Sequence, residues 1–347
     1  MEIVKKENYQ GYETVLFATD EKTNFKAIIA VHSTVLGPAL GGCRMWFYKS
    51  EEEALTDVLR LAEGMTYKNS AMGLNLGGGK AVIIGDPRSD KTPELFARFA
   101  EAVNALGGKY YTAEDVGITP QDMLEVSRHT PYVAGLPAKS GDPSPFTALG
   151  VYMGMKAALE YVFGEPSLKG KKVAVQGLGH VGMYLLEHLH QEGAELIVTD
   201  IFEDRVNEAV KRFNARFVKP EQIYDVDADI FAPCALGGIL NENTIPRLKV
   251  KIVAGAANNQ LAKLEDGKLL AERGIVYVPD FIINGGGVIN VAEELNPEGY
   301  DQNRAKAKVA TIYTKVKEVL TLSREQKITP QEAAILYAKK RLLQRRA

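Results

Sequence analysis

The 347-residue sequence is poor in the residues that build disulfide frameworks and metal centres. It has only two cysteines, Cys43 and Cys234, and they lie far apart. Such a pair indicates neither a disulfide framework nor a metal-type cluster. The five histidines form no H-E-x-x-H pattern, so no metal is expected. The net charge of -2 also lacks the basic excess typical of nucleic-acid-binding proteins.

Long apolar runs are missing as well. No stretch reaches the roughly 20 residues that span a membrane. The first eight residues lack the apolar core of a signal peptide. We therefore expect a cytoplasmic protein without a membrane partner. With 46% hydrophobic and 25% charged residues, the chain has enough apolar material for two domain cores.

The stretch from Gly64 to Lys80 carries two lysines in a setting that is otherwise poor in charge. Lys68 extends the apolar helical face that Met65 belongs to, and Lys80 follows three glycines and opens a predicted strand at Ala81. Desolvation and a second positive charge both favour a neutral lysine, which can act as a general base. A lysine at a helix end also complements the helix dipole, and glycines also form plain turns. The stretch alone leaves both interpretations open.

Predicted strands and helices alternate through the first half, which is typical of an α/β domain. Ser50, Thr92 and Thr119 are predicted to begin helices. The segment from Leu36 to Met45 reads as irregular because of its glycines and proline. Asp115 ends a predicted strand, which is where open α/β sheets bind ligands, although it equally fits a helix-capping role.

A dinucleotide-binding pattern opens the second half. A buried strand through Gln176 leads into Gly177-Leu178-Gly179-His180-Val181-Gly182, then a helix, then a strand that ends at Asp200. The first glycine suits a tight turn, the second a close pyrophosphate, and the third close packing of the helix on the strand. Asp200 is expected to bind the ribose 2′-hydroxyl and to favour NAD, while Arg205 keeps NADP open as an alternative.

These patterns predict a two-domain α/β protein with a cleft between its domains. Residues 1–138 form an N-terminal α/β substrate and assembly domain, completed by a C-terminal helix at about 328–347. Residues 139–327 form a Rossmann-type NAD domain, with a boundary or hinge in the Pro- and Gly-rich segment 136–145. Small or polar residues follow its later strands and suit a cofactor at the sheet edge: Ala235, Leu236, Ala256, Asn258 and Asn259.

Several of these motifs together resemble the amino-acid dehydrogenase family, the glutamate/leucine/phenylalanine/valine group. The likeness covers nearly the whole chain and is greatest to the leucine branch. It is carried by residues 37–42, 64–80, 113–115, 257–261 and 284–291 and by the glycine fingerprint. The resemblance implies reversible oxidative deamination of an L-amino acid to a 2-oxo acid and ammonia, with NAD as the hydride acceptor. It also implies a homo-oligomer.

The resemblance assigns roles to particular residues. Lys68 holds the substrate carboxylate, Lys80 activates water, and Asp115 exchanges protons with the substrate amino group. The backbone of Gly41 and Gly42 lies against the substrate. Thr147 and Asn258 or Asn259 bracket the nicotinamide. The substrate side chain is lined by Leu40, Met65, Ala113, Val288 and Val291.

An apolar lining rejects glutamate, whose second carboxylate would be buried without a partner. It separates leucine, isoleucine and valine only weakly. The implied substrates are therefore branched aliphatic amino acids. Gly79, at a position where the leucine branch usually has alanine, keeps an aromatic substrate open. The chain is expected to end earlier than the leucine enzymes do, so the resemblance does not extend to their octameric assembly.

Two other classes compete with this interpretation. A catalytically silent NAD-binding regulator would keep the glycine fingerprint but lose the lysines or Asp115, and all three are present. A 2-hydroxy-acid dehydrogenase would need a histidine–carboxylate pair with an arginine, and no histidine stands in such a setting.

Overall fold

A computed structural model describes residues 1–346, with side chains as far as Arg345. The chain forms two compact units. The first comprises Met1–Asp142, Val291–Asp301 and the chain from Ala338 onward, and the second comprises Pro143–Asn290 and Gln302–Tyr337. None of the helices within the described residues is long and apolar enough to cross a membrane.

A six-stranded sheet forms the centre of the first unit, in the order β1-β2-β3-β5-β4-β6. Its strands are β1 (Glu2–Tyr9), β2 (Tyr12–Asp20), β3 (Phe25–Ser33), β4 (Ala39–Trp46), β5 (Gly77–Ile84) and β6 (Tyr110–Glu114). Neighbours from β1 to β5 pair antiparallel, whereas β4 is parallel to both β5 and β6. The three strands that carry the predicted site are therefore parallel neighbours.

Helices cover both faces of this sheet: α1 (Glu51–Ala71), α2 (Pro93–Asn104) and α3 (Pro120–Ser127). Val58 and Ala62 of α1 pack with Val82 in one apolar cluster. Phe99 of α2 packs in a second cluster with Ala81. Because neighbouring residues of a strand point to opposite faces, α1 lies on one side of β5 and α2 on the other. Lys80 shares the α1 side with Val82, which is two residues further on.

Two strand predictions in the first unit are wrong. The segment from Leu36 to Met45 is not irregular, because β4 begins at Ala39. The strand expected to open at Lys80 begins three residues earlier, at Gly77. Glycines in both strands suggested turns, but here they allow neighbouring backbones to approach closely. The charged strand β1 was not predicted, since its sequence lacks an apolar alternation.

The predicted helix starts are confirmed. The Ser50 hydroxyl accepts from the Glu53 amide at 3.1 Å and begins α1. Thr92 caps α2 in the same way. Thr119 and Asp122 form a complete capping box at the start of α3, directly after the segment that holds Asp115. These side chains satisfy amide groups that the first helical turn leaves without partners.

The second unit has a wholly parallel sheet in the order β12-β11-β10-β7-β8-β9. Its strands are β7 (Lys172–Gln176), β8 (Glu195–Thr199), β9 (Arg216–Phe217), β10 (Ile230–Pro233), β11 (Ile252–Val253) and β12 (Val276–Tyr277). In order of appearance this is 3-2-1-4-5-6, the arrangement of a Rossmann fold. The predicted fold class is confirmed.

The remaining helices are α4 (Ser144–Phe163), α5 (His180–Gln191), α6 (Glu203–Phe213), α7 (Asp266–Glu272), α8 (Asp280–Ile283), α9 (Gly286–Glu293), α10 (Gln302–Ala310), α11 (Ile312–Gln326) and α12 (Pro330–Arg346). Thr311 separates α10 from α11. Val291–Asp301, which the sequence analysis placed with the NAD domain, belongs to the first unit. There the Glu294 carboxylate accepts from the amides of Leu136 and Ser140 at 3.1 and 2.9 Å.

Candidate active site

A buried ion pair lies at the centre of the first unit's candidate site. Lys80 comes from β5, and Asp115 directly follows the last residue of β6. The Lys80 Nζ atom lies 3.0 Å from Asp115 Oδ2, and the lysine side chain is only 7% exposed. A lysine this deeply buried requires a charged partner. The structure thus brings together the two residues predicted to carry catalysis.

The Asp115 carboxylate is held in its ionised form. Burial alone would raise the pKa of Asp115, but the charges and hydrogen bonds of Lys80 and Arg44 outweigh burial and lower it below its ordinary value. An ionised carboxylate can accept a proton from a substrate, although a lowered pKa also makes it a weaker base.

Arg44 of β4 was missed by the sequence analysis. Its Nε donates to Asp115 Oδ2 at 3.0 Å, and its Nη1 donates to Asp57 Oδ2 of α1 at 2.9 Å. The Tyr48 hydroxyl donates to the same Asp57 oxygen at 2.7 Å. The sequence signal was a single cation inside the otherwise uncharged run from Leu36 to Trp46. It was overlooked because that run was taken for a loop.

Lys68 lies in the last turn of α1 and is half-buried. The next residue, Asn69, fixes that end of the helix against the sheet. Its buried amide donates to the carbonyls of Leu40 and Gly77 at 3.1 and 2.6 Å. The position of Lys68 therefore depends on how closely α1 can approach β4 and β5.

The glycines of β4 and β5 permit that close approach. A Cβ on Gly78 would lie 2.1 Å from the Thr66 nitrogen of α1, and a Cβ on Gly41 would lie 1.7 Å from the Gly79 carbonyl oxygen. The Tyr110 hydroxyl donates to the Gly41 carbonyl at 2.7 Å. A Cβ on Gly42 would meet the Glu114 carbonyl oxygen at 2.3 Å. These glycines are required by internal packing, independently of any substrate.

The predicted side-chain lining is apolar, and part of it is gathered in one place. Leu40 is 1% exposed and Ala113 is 7% exposed. A Cβ on Gly135 would lie 3.8 Å from Ala113 and 3.9 Å from Val291, so both flank the same backbone position. Val288 and Val291 both lie on α9, three residues apart, and therefore on one face of that helix. Met65 lies on α1 close to Gly41.

The glycine fingerprint of the second unit has the conformation that its sequence predicts. Gly177 has a φ of +101°, which favours glycine, and a Cβ there would lie 2.7 Å from the Ala235 side chain. A Cβ on Gly182 would lie 2.1 Å from the Gly177 carbonyl oxygen. A Cβ on Gly179, at the start of α5, would meet no atom within 4 Å. The middle glycine thus leaves open space at a helix N-terminus, as a bound pyrophosphate requires.

Asp200 follows β8 and faces this turn. Its Oδ2 accepts from the Leu178 amide at 2.6 Å and its Oδ1 accepts from the Phe202 amide at 2.9 Å. The carboxylate is therefore fixed at the carboxyl end of the sheet, where a ribose binds in Rossmann folds. The residues present fit an NAD molecule at this edge.

The other predicted cofactor residues occupy the loops after β10 and β11, the first turn of α4 and the first turn of α5. Leu236 is 74% exposed beside Ala235. Asn284, which the sequence analysis did not select, donates from Nδ2 to Asn258 Oδ1 at 2.8 Å and to the Ala256 carbonyl at 3.1 Å. The remaining predicted cofactor residues are exposed or half-buried: Thr147, His180, Val181 and Asn259.

Comparison with known proteins gives consistent matches over most of the chain. The Glu/Leu/Phe/Val dehydrogenase dimerisation domain matches residues 12–132, and the Glutamate/Leucine/Phenylalanine/Valine dehydrogenase family matches residues 141–201 and 198–346. A leucine dehydrogenase of Geobacillus stearothermophilus is 54% identical, over 99% of this chain and 94% of that protein.

Relatives with aromatic substrates in their names are also similar to this chain. A phenylalanine dehydrogenase of Caldalkalibacillus thermarum is 45% identical, over 99% of this chain and 95% of that protein. The crystal structure of an L-tryptophan dehydrogenase from Nostoc punctiforme superposes with a TM-score of 0.87 at 45% identity and covers 97% of each chain.

Proposed function

The chain belongs to the Glu/Leu/Phe/Val dehydrogenase family, and on that premise we propose that it catalyses the NAD-dependent oxidative deamination of a branched-chain aliphatic L-amino acid. The products are the 2-oxo acid and ammonia. The observation that carries this proposal is the buried pair of Lys80 and Asp115, 3.0 Å apart, beside the glycine-rich ends of β4 and β5.

Different residues of the first unit have different roles in the proposed reaction. Lys68 binds the substrate carboxylate as a cation. Asp115 accepts a proton from the substrate amino group, and Lys80 activates the water that attacks the imine. The closely packed backbone at Gly41 and Gly42 supports the substrate between the lysines. Because Lys68 and Lys80 have different surroundings and different roles, replacing Lys68 affects substrate binding and replacing Lys80 affects the chemical step.

When bound, NAD would supply the acceptor for the hydride of the substrate α-carbon. In the second unit, Gly177, Gly179 and Gly182 and the start of α5 would hold its pyrophosphate, and Asp200 would hold its ribose. The fixed carboxylate of Asp200 repels a 2′-phosphate, which favours NAD over NADP. Ala235, Leu236, Ala256 and the pair Asn258 and Asn259 border the cofactor, with Thr147 at the nicotinamide end.

Leucine-type specificity is supported by the higher identity to the leucine relatives and by the apolar residues Leu40, Ala113 and Val291. An aromatic L-amino acid is the second candidate, because the phenylalanine and tryptophan relatives match at 45% identity. The small side chain of Ala113 leaves room that a larger substrate can use. Measurement of kcat/KM for leucine, isoleucine, valine, phenylalanine, tryptophan and glutamate, with NAD and NADP in parallel, decides between these candidates.

Two substitutions test the assigned chemistry. Lys80→Ala removes the base, so turnover is lost while the Kd for NAD stays unchanged. Lys68→Ala removes the carboxylate ligand, so KM for the amino acid rises more than kcat falls. Normal turnover in Lys80→Ala would refute the mechanism, and an unchanged KM in Lys68→Ala would refute its role.

Self-association is also proposed, because residues 12–132 match a dimerisation domain. We expect a homo-oligomer in solution. Light scattering after size-exclusion chromatography measures its mass, and a mass of about 38 kDa, that of one chain, would refute this.

A further inference from the structure

Arg44 connects the candidate catalytic carboxylate to helix α1. Its guanidinium contacts Asp115 through Nε and Asp57 through Nη1, at 3.0 and 2.9 Å. Both distances are those of N–H···O hydrogen bonds, here between charged groups. A planar guanidinium presents donors in a fixed fork, so two simultaneous contacts determine its orientation. Arg44 is thus held in one orientation with respect to Asp115.

Asp57 is itself fixed by neighbouring groups. It is 16% exposed on α1, and Tyr48 donates to the same oxygen that Arg44 contacts. Tyr48, Asp57, Arg44 and Asp115 therefore form a continuous chain of hydrogen bonds that ends at Lys80. Isolated exposed ion pairs contribute little, but partly buried and connected ones restrict geometry more strongly.

We propose that Arg44 is a positioning residue of the active site, which fixes the Asp115 carboxylate beside Lys80 and keeps it available to accept a proton. Asp57 and Tyr48 hold Arg44 in turn. The inference rests on the proposed function, in which Asp115 exchanges a proton with the substrate amino group. It adds to that function a residue that contacts no substrate and acts through Asp115 alone.

The direction of the pH effect follows from the charges around Asp115. Two cations, Lys80 and Arg44, lie within hydrogen-bonding distance of it, and the Asp115 charge acts in turn on three neighbouring acids. Burial raises the pKa of Glu114, as do the charges of Asp142 and Asp115. Burial also raises the pKa values of the Cys43 thiol and the Tyr110 hydroxyl, which therefore stay neutral. The groups in the described part of the chain that interact with Asp115 include Lys80, Arg44, Glu114, Cys43 and Tyr110.

Loss of the Arg44 charge favours the protonated form of Asp115, because a cation that stabilises the carboxylate is removed. The acid limb of the pH profile of kcat/KM for deamination therefore moves to higher pH, since Asp115 has to be ionised to accept a proton.

The experiment compares Arg44→Gln and Arg44→Lys in the full-length protein. Arg44→Gln is expected to lower kcat/KM by about 10- to 100-fold, as for a lost hydrogen bond between charged groups, and to move the acid limb upward. Arg44→Lys keeps the charge but cannot span both carboxylates, so kcat falls while the limb stays in place.

Arg60→Gln is the matched control. Arg60 lines the same surface cleft as Arg44 and lies 3.8 Å from the other oxygen of Asp57, but it is 71% exposed. Its loss removes the same charge without touching Asp115. We expect its kcat/KM to stay within about twofold of the wild type, with the acid limb unmoved.

Folding is checked by circular dichroism and by the Kd for NAD in each variant. If Arg44→Gln does not fold, Arg44→Lys and Tyr48→Phe carry the test, because each keeps the buried charge and weakens only the geometry. The inference would be overturned if Arg44→Lys and Tyr48→Phe both had the kcat and the acid limb of the wild type. If the inference is overturned in this way, the proposed function still stands as long as the wild type is active and Asp115→Asn is inactive. A wild type without amino-acid dehydrogenase activity would instead refute the proposed function itself.

Discussion

Replacement of Gly78 by alanine tests how α1 is positioned on the sheet. The added Cβ would lie 2.1 Å from the Thr66 nitrogen, 2.2 Å from its Oγ1 and 2.4 Å from its Cα. Ordinary contact begins at 3.4 Å, so the helix has to retreat by about 1.3 Å. All three contacts involve one residue of α1, and two of them involve its backbone, so no side-chain rotation relieves them.

That displacement reaches the candidate site directly. Lys68 lies two residues beyond Thr66, and Lys80 lies two residues beyond Gly78. The hydrogen bonds from Asn69 to β4 and β5 lengthen as the helix moves. We expect Gly78→Ala to destabilise the fold by about 1–3 kcal/mol through overpacking. A displacement of about 1 Å at a catalytic group costs about 100-fold in rate.

The assay combines urea unfolding, followed by circular dichroism at one fixed protein concentration, with initial rates of deamination. The Kd for NAD should not change, because the glycine fingerprint belongs to the second unit. Gly64→Ala is the matched control. Gly64 is exposed on the same helix and its added Cβ meets no atom within 4 Å, so the variant should gain about 0.5–1 kcal/mol.

Two results would refute the reasoning. One is a Gly78→Ala protein as stable and as active as the wild type, which would mean that α1 does not rest on this strand as closely as described. The other is a loss of activity in Gly64→Ala of the same size. That result would mean that any added methyl group on α1 perturbs the site, and that the contact between Gly78 and Thr66 does not specifically position it.

Further predictions concern the second unit. Gly179→Ala should leave the urea midpoint unchanged and raise the Kd for NAD measured by calorimetry, because its Cβ meets no protein atom but enters the space proposed for the pyrophosphate. Gly182→Ala should lose about 1–3 kcal/mol of stability, since its Cβ lies 2.1 Å from the Gly177 carbonyl oxygen. An unchanged Kd in Gly179→Ala would place the pyrophosphate elsewhere. Asp200→Asn should raise kcat/KM with NADP relative to NAD, and an unchanged ratio would contradict its role at the ribose.

Sequence patterns predicted the second unit well because its signals are local. The turn at Gly177, the helix after it and the acid at Asp200 follow one another within a single βαβ unit, so their spacing alone specifies the contacts. The helix starts at Ser50 and Thr119 were equally accessible, since a cap bonds to amides three residues away.

The first unit was harder to predict because its contacts are distant in sequence. Arg44 meets Asp115 across 71 positions, and no spacing rule connects them. Asn69 binds carbonyls of two different strands, which requires the pairing of β4 with β5 to be known beforehand. Lys80 and Asp115 were selected from their local sequence settings and given roles by family resemblance, but only the sheet order explains why β5 and β6 lie on either side of β4.

The glycines of the first unit show how one sequence feature can serve packing and catalysis together. In the sequence they suggested loops that admit a substrate, yet a Cβ at Gly41, Gly42 or Gly78 would collide with neighbouring backbone in the protein alone. The absence of these side chains draws three parallel strands and α1 together, and this closeness places Lys68 near the strand of Lys80. A larger residue at Gly41, Gly42 or Gly78 should therefore lower the free energy of unfolding and the rate of deamination together. By contrast, a glycine that serves only ligand approach, as proposed for Gly179, should damage binding alone.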